Sequence, residues 1–356
     1  MLIPAISRYI GLNPDHNYFM ICKSELEAHP IKLISSNVNF FYRHKKIGSI
    51  LDAIKMLSIA FRLNKKRIDV LYAPLIPSRF FYRLFISIIN PNKVLINREK
   101  LYKKFKYSFN PYNKFNGHQV EYYQENLLGN FIKKPISFYI NSPTKKVKNI
   151  IAIGLGCGFN EENKIPDLDW FLKLINSLIC SYPNIKINLY GGGKNDLNKF
   201  HFLKKKSADP NKIIFTHNVR LDKLIKILDA SLLIISGTTG PGHIASLTNR
   251  PIITLSNSTN ICESGPYSDK IISINLHKKF RCSPCYRENF NNGCGYIKCV
   301  NNISVEQVLK YCEKIITEKK INFTKYSELK IKTKVIEQIN SKQKFIKKYG
   351  IFQDIN

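Results

Sequence analysis

Segment 231–255 constrains the fold of this chain more than any other. An apolar run, Ser231-Leu232-Leu233-Ile234-Ile235, leads into Thr238-Thr239-Gly240-Pro241-Gly242-His243 and then into a helix-compatible stretch, His243-Ile244-Ala245-Ser246-Leu247. A second apolar run, Arg250-Pro251-Ile252-Ile253-Thr254-Leu255, follows at once. Two short buried strands around a helix form a unit whose strands lie parallel. The hydroxyls and glycines then stand at the carboxyl end of a parallel strand, where open α/β sheets collect ligands. A turn of this kind aims several N–H groups at one spot with the positive end of a helix dipole behind them, so it suits a nucleotide phosphate.

The alternation of β-branched or aromatic runs with amphipathic stretches continues along the whole chain, which is the pattern of parallel α/β layers. In the first half, Asn17-Tyr18-Phe19-Met20-Ile21, Asn39-Phe40-Phe41-Tyr42, Ile68-Asp69-Val70-Leu71-Tyr72 and Lys93-Val94-Leu95-Ile96 read as strands, with helices over 50–63 and 79–89. A further helix begins near His118 and stops at Gly129. The second half restarts with Ile150-Ile151-Ala152-Ile153 entering the glycine-rich Gly154-Leu155-Gly156-Cys157-Gly158. A helix over 167–181, a strand over 186–190 ending in Gly191-Gly192-Gly193, a strand at 213–215 and a helix over 221–229 come next, and 303–316 again has helical spacing. With 356 residues and 44% apolar content the chain supplies two cores. The predicted organisation is an N-terminal domain over 1–134, a polar, proline-bearing linker over 135–148, a nucleotide-binding domain over 149–318, and a lysine-rich helical extension over 319–356.

Four ordered landmarks make a family resemblance specific: Thr238-Thr239-Gly240-Pro241-Gly242-His243-Ile244-Ala245, Pro251 before a strand, Gly265-Pro266-Tyr267, and Cys282-Ser283-Pro284-Cys285. Together they resemble glycosyltransferase family 9, the ADP-heptose:lipopolysaccharide heptosyltransferases, whose donor-site signature runs Asp-Thr-Gly-Pro-Met-His-Leu-Ala. The resemblance implies the GT-B fold, with two Rossmann-like domains and parallel sheets facing a central cleft. It also implies inverting, metal-independent transfer of heptose or a related sugar from a nucleotide diphosphate to lipopolysaccharide core or a similar surface glycan. A terminal helix that crosses back to the N-terminal domain belongs to the same expectation. The cofactor expectation is none, with an ADP-sugar as donor substrate.

The resemblance also assigns roles. The amides of Thr239 and Gly240 meet the diphosphate, the bare Gly242 permits close approach, and His243 either donates to a phosphate oxygen or caps local backbone. Thr238, Thr239, Gly240, Pro241, Gly242 and His243 are thus the candidate donor seat. Lys164, in Lys164-Ile165-Pro166 where the family has Lys-x-Trp-Pro, neutralises the leaving group. Asp196, after the three glycines, either accepts from the donor ribose or caps the helix from Leu197.

Two departures bear on activity. Thr238 replaces the aspartate of the signature. The family also opens with a strand and a Gly-Asp turn whose aspartate acts as general base, whereas here Leu2-Ile3-Pro4-Ala5-Ile6 already matches the helix that follows that turn. An upstream start, loss of the base in an inactive donor-binding or scaffolding relative, or substitution by Glu25 or Glu27 would each account for this. The catalytic base is therefore unassigned.

A net charge of +31 fits either scattered, solvated lysines or a phosphate-rich partner. Basic pairs such as Lys45-Lys46 and Lys103-Lys104 are dispersed without aromatic interleaving, which argues against nucleic acid and leaves an anionic glycolipid acceptor and a membrane surface. No apolar run reaches the ~18 residues of a membrane span. The start lacks a secretory pattern, so the expected location is cytoplasmic, peripheral at the inner membrane. Among nine cysteines, Cys282, Cys285, Cys294 and Cys299 alone have spacing that suits a structural zinc, packed reduced thiols and a redox disulfide being the competing readings.

Overall fold

The computed structural model describes residues 3–22, 25–33, 35–44, 49–73, 80–96, 107–109, 118–121, 147–156, 164–256, 259, 261–268, 270–274 and 298–318. The chain divides into two compact units between Lys133 and Lys134.

The N-terminal unit runs α1 (Ile3–Leu12), β1 (Tyr18–Cys22), α2 (Glu25–Lys32), β2 (Val38–Tyr42), α3 (Ile50–Asn64), β3 (Val70–Ala73), α4 (Phe80–Ile89), β4 (Lys93–Ile96) and β5 (Tyr107–Phe109). β1 and β2 pair in parallel, and β3-β4-β5 form a second parallel sheet. Helix α3 starts where the Ser49 hydroxyl accepts from the Asp52 amide at 3.2 Å, and the buried Asp52 carboxylate is clamped by Arg43. Its residues Met56, Ile59, Ala60 and Leu63 recur at helical spacing and form one core with Phe85, Ile86 and Ile89 of α4 and Val94 of β4. Sequence periodicity missed α2, an eight-residue helix that contains Pro30, and β5, which has three residues. An eight-residue helix spans only about two turns and a three-residue strand about one and a half alternations, both shorter than the window in which periodicity is read.

The C-terminal unit contains β6 (Ile150–Gly154), α5 (Leu168–Ser181), β7 (Lys186–Gly191), α6 (Lys194–Lys206), β8 (Ile213–His217), α7 (Leu221–Asp229), β9 (Leu233–Gly237), α8 (Gly240–Ala245), β10 (Ile252–Leu255), α9 (Ile261–Ser264), β11 (Ile271–Ile274), α10 (Lys298–Asn301) and α11 (Val305–Glu313). Its six parallel strands lie in the order β11-β10-β9-β6-β7-β8. Alternate residues face opposite sides, as the two-residue period requires. Ile151, Ile153, Leu233 and Ile235 pack on one face with Phe171, Leu174, Ile175 and Leu178 of α5, while Ala152 and Ile234 pack on the other with Leu228, Ala245 and Ile261. Both faces are covered, which is why these strands read as unbroken apolar runs.

This order puts the first strand, β6, in the middle and makes the gap between β6 and β9 the topological switch point. The N-terminal strands follow the two flanks of the same pattern, β2-β1 and β3-β4-β5. Among the described residues no strand holds the position that β6 holds in the C-terminal sheet.

The helix expected at 303–316 forms as α11 with a π-helical turn, Lys314–Glu318, after it. The crossing back to the N-terminal domain expected of the tail from Lys319 falls outside the described residues. Helix α11 packs on α5, where Trp170 Nε1 donates to the Ile303 carbonyl at 2.6 Å and Lys173 pairs with Glu306 at 2.6 Å. Burial of the Trp170 ring among Val305, Val308 and Tyr311 holds this end of the chain within the C-terminal unit. The helix end near Gly129, most of the 135–148 linker and the 319–356 extension lie outside the described residues.

Candidate functional site

The six turn residues lie at the carboxyl end of β9, beside the switch point, with Thr239 as N-cap of α8. Pro241 supplies no N–H, and the His243 amide donates to the Thr239 carbonyl at 3.0 Å. The first-turn amides of Gly240 and Gly242 have no acceptor inside so short a helix.

The two glycines differ, and here the sequence expectation is corrected. A methyl group on Gly242 would lie 2.4 Å from the Gly237 carbonyl oxygen and 3.1 Å from Pro266. Its missing side chain therefore lets α8 fold back on β9 and does not open the seat to a ligand. Gly240 is exposed, and a Cβ there meets nothing within 4 Å. Gly240 is the glycine that faces open space.

The threonines also separate. Thr238 is buried and its hydroxyl bonds to that of Thr259, which lies in the loop after β10. Thr259 is in turn held by Ser256, whose hydroxyl donates to the Thr259 carbonyl at 2.9 Å. The residue that replaces the family aspartate is thus a tie between two strand ends. Thr239 is equally buried, yet its Oγ1 has no hydrogen-bond partner among the described residues. A buried hydroxyl without a partner costs free energy, and a ligand oxygen would relieve that cost. Sequence reasoning missed Thr259 and Ser256, although hydroxyl residues directly after β10 were the available signal.

Lys164 is buried at the switch point, where its carbonyl oxygen lies 2.9 Å from the position a Cβ on Gly237 would take. His243 keeps part of its surface open, but protein surrounds the ring closely enough to push its pKa down to about 3. Burial is the main cause, and the Lys164 ammonium acts in the same direction. The ring makes no hydrogen bond among the described residues, so the alternative role of capping local backbone is not the one seen. It is a neutral donor beside a buried cation.

Asp196 is also brought here. A methyl group on Gly156 would stand 2.9 Å from its Oδ2 and 3.2 Å from Pro241 Cγ. The carboxylate accepts from the Gly192 amide at 2.8 Å and lies 3.8 Å from the Lys199 ammonium. The N-cap of α6 is Gly193, three residues earlier, so Asp196 serves backbone at the helix start from the first turn and not from the N-cap position expected. Gly193 holds φ at 90°, a conformation that favours glycine. Asp196 reaches back across it to the glycine turn, as an acidic residue in the first turn of a helix commonly does.

The landmark Gly265-Pro266-Tyr267 packs against this same turn through Pro266. The side chains of Cys282, Cys285, Cys294 and Cys299 fall outside the described residues, and no group of three or more metal-ligating side chains occurs among those that are described. The candidate bases belong to the N-terminal unit. Glu25 is exposed and bonded to Lys32 and Tyr42, contacts that hold its carboxyl below the usual range and make it a weak base. The Glu27 side chain is outside the described residues. No helix among the described residues is long and apolar enough to cross a membrane.

Residues 141–294 match the family model described as glycosyltransferase family 9 (heptosyltransferase). This segment is similar to glycosyltransferase family 9. Over 120 residues the chain is 32% identical to lipopolysaccharide heptosyltransferase 1 of Campylobacter coli, and the match spans 33% of this chain and only 33% of that relative. The fold is similar to that of E. coli ADP-heptose lipopolysaccharide heptosyltransferase II, with a TM-score of 0.69 at 16% identity over 89% of this chain and 95% of the other. The family 9 glycosyltransferase of Veillonella parvula gives a TM-score of 0.69 at 16% identity, covering 89% and 93%. An E. coli heptosyltransferase solved with ADP gives 0.66 at 14% identity, covering 88% and 95%. The α/β fold with parallel sheets is that of the GT-B heptosyltransferases, as the landmarks led us to expect.

Proposed function

We propose that the chain is an inverting glycosyltransferase that moves heptose or a related sugar from an ADP-sugar to a phosphorylated glycolipid such as lipopolysaccharide core. The observation that carries the reading is the convergence of an orphaned Thr239 hydroxyl, the open Gly240 amide, neutral His243 and buried Lys164 at the switch point of a family 9 segment. In this reading the diphosphate accepts hydrogen bonds from the Thr239 hydroxyl and the turn amides. As the glycosidic bond breaks, negative charge grows on the leaving oxygen. Lys164 and the helix end oppose it without a metal ion, because they are already oriented and desolvated. Asp196 holds the glycine turn on the ribose side. The acceptor hydroxyl is met by the N-terminal unit at an anionic membrane surface.

Calorimetric titration with ADP tests the seat. Lys164→Ala and Gly240→Asp each weaken ADP by tenfold or more, since a charged hydrogen bond is worth about 1.5–3 kcal/mol. Thr239→Val weakens it less, by roughly fivefold, while leaving thermal stability equal or higher because the removed hydroxyl has no protein partner to desert. Unchanged ADP affinity in all three variants sinks the assignment. Tight ADP binding without transfer to any glycolipid acceptor favours a donor-binding relative that lacks the base.

A further inference from the structure

Helix α3 presents two opposite faces that are both rich in apolar side chains. The inner one is the core face already described. On the outer one Ile50 is 80% exposed, Leu51 60%, Ile54 59% and Phe61 57%. At about 100° per residue, Ile50, Ile54 and Phe61 fall within roughly 40° of one another, a stripe about 16 Å long on the helix surface. Beside it, through Leu51 and Ser58, runs a flank of four exposed cations: Lys55, Arg62, Lys65 and Lys66. Among the described residues none of the four forms an ion pair. Packing does not explain the stripe, since a helix on a sheet buries only one face. An apolar stripe bordered by unpaired cations matches the boundary between acyl chains and anionic headgroups, where both kinds of side chain are satisfied at once.

We propose that the outer face of α3 is a membrane-docking surface that lies flat on an anionic bilayer. Ile50, Ile54 and Phe61 enter the acyl boundary, and Lys55, Arg62, Lys65 and Lys66 meet lipid phosphates. This deepens the glycolipid-acceptor reading above and rests on it only for the choice of partner. Bilayer contact is read without donor or turnover, so either can fail alone. A second copy of the chain is the competing occupant. It is disfavoured because two such faces would bring eight like charges together.

Cosedimentation of the full chain with vesicles of phosphatidylcholine containing about one third phosphatidylglycerol tests the proposal. The triple variant Ile50→Ser, Ile54→Ser, Phe61→Ser binds at least tenfold more weakly, as does Lys55→Gln, Arg62→Gln, Lys65→Gln, Lys66→Gln, each phosphate-facing cation being worth about fivefold. A control that removes four charges elsewhere, Lys204→Gln, Lys205→Gln, Lys206→Gln, Lys223→Gln, stays within about twofold. Separately, Phe61→Trp gives emission that shifts to the blue on these vesicles and not on pure phosphatidylcholine. The idea is overturned by equal losses in the control, by an unaffected serine variant, by an unshifted tryptophan, or by a concentration-dependent dimer that the serine variant abolishes.

Discussion

His243 shows how one side chain links stability and ligand. Its folded pKa, about 3, lies well below the ordinary imidazole value. The folded protein therefore refuses a proton that the unfolded chain takes up below about 6.5. The stability this group contributes is complete above that value and is lost as pH falls toward 3. We expect the melting temperature, followed by the fluorescence of the single Trp170, to drop across that window and to drop less in His243→Gln. Equal pH dependence in the two proteins would contradict the placement of the ring. The sequence singled out His243 and its neighbours as a group, because a hydroxyl and glycine turn between two apolar runs places them together at the end of a parallel strand. It did not separate Thr238, tied to Thr259, from Thr239, left without a partner, since that depends on which way each hydroxyl points.

At the scale of elements, the contact between α8 and β9 decides the shape of the seat. Gly242→Ala forces a methyl group to within 2.4 Å of the Gly237 carbonyl, so α8 must tilt or β9 must shift. Overpacking of this kind costs about 1–3 kcal/mol. The expected result is a clearly lower melting temperature, whereas Gly240→Ala, which meets nothing within 4 Å, leaves it nearly unchanged in the absence of ligand. Differential scanning calorimetry of both variants checks this, and similar melting of the two would refute it. The same contrast explains why Gly242 was expected from sequence to permit close approach, although a Cβ there meets the strand and one on Gly240 does not. Spacing says that both lie in a tight turn, while the direction of each Cβ depends on how the short helix sits on the sheet. The longer helices α3 and α5 were legible because each completes about four turns.

At the scale of the molecule, the two units have separate cores, one built on α3 and α4, the other on both faces of the β6-centred sheet. Trp170 lies in the second core and is the only tryptophan, so its emission reports that unit alone. ADP at about a hundred times its dissociation constant should stabilise the Trp170-reported transition by about 2.7 kcal/mol, and leave a transition of the N-terminal unit, followed by hydrogen exchange in α3 and α4, unmoved. Stabilisation of α3 and α4 by ADP alone would argue against a seat confined to the C-terminal unit. By itself the sequence determined the parallel α/β class, the resemblance of segment 141–294 to family 9, and the place of the turn between two buried strands. These depend on local period and on residues contiguous in the chain, which survive without coordinates. Tertiary structure alone decided that α11 stays on α5 and that Lys164, Asp196 and Pro266 meet one turn from three distant segments. It also decided that Glu25 is held by Lys32 and Tyr42. Strand order and the packing of side chains across the sheet set these outcomes, and neither is written in any stretch of neighbouring residues.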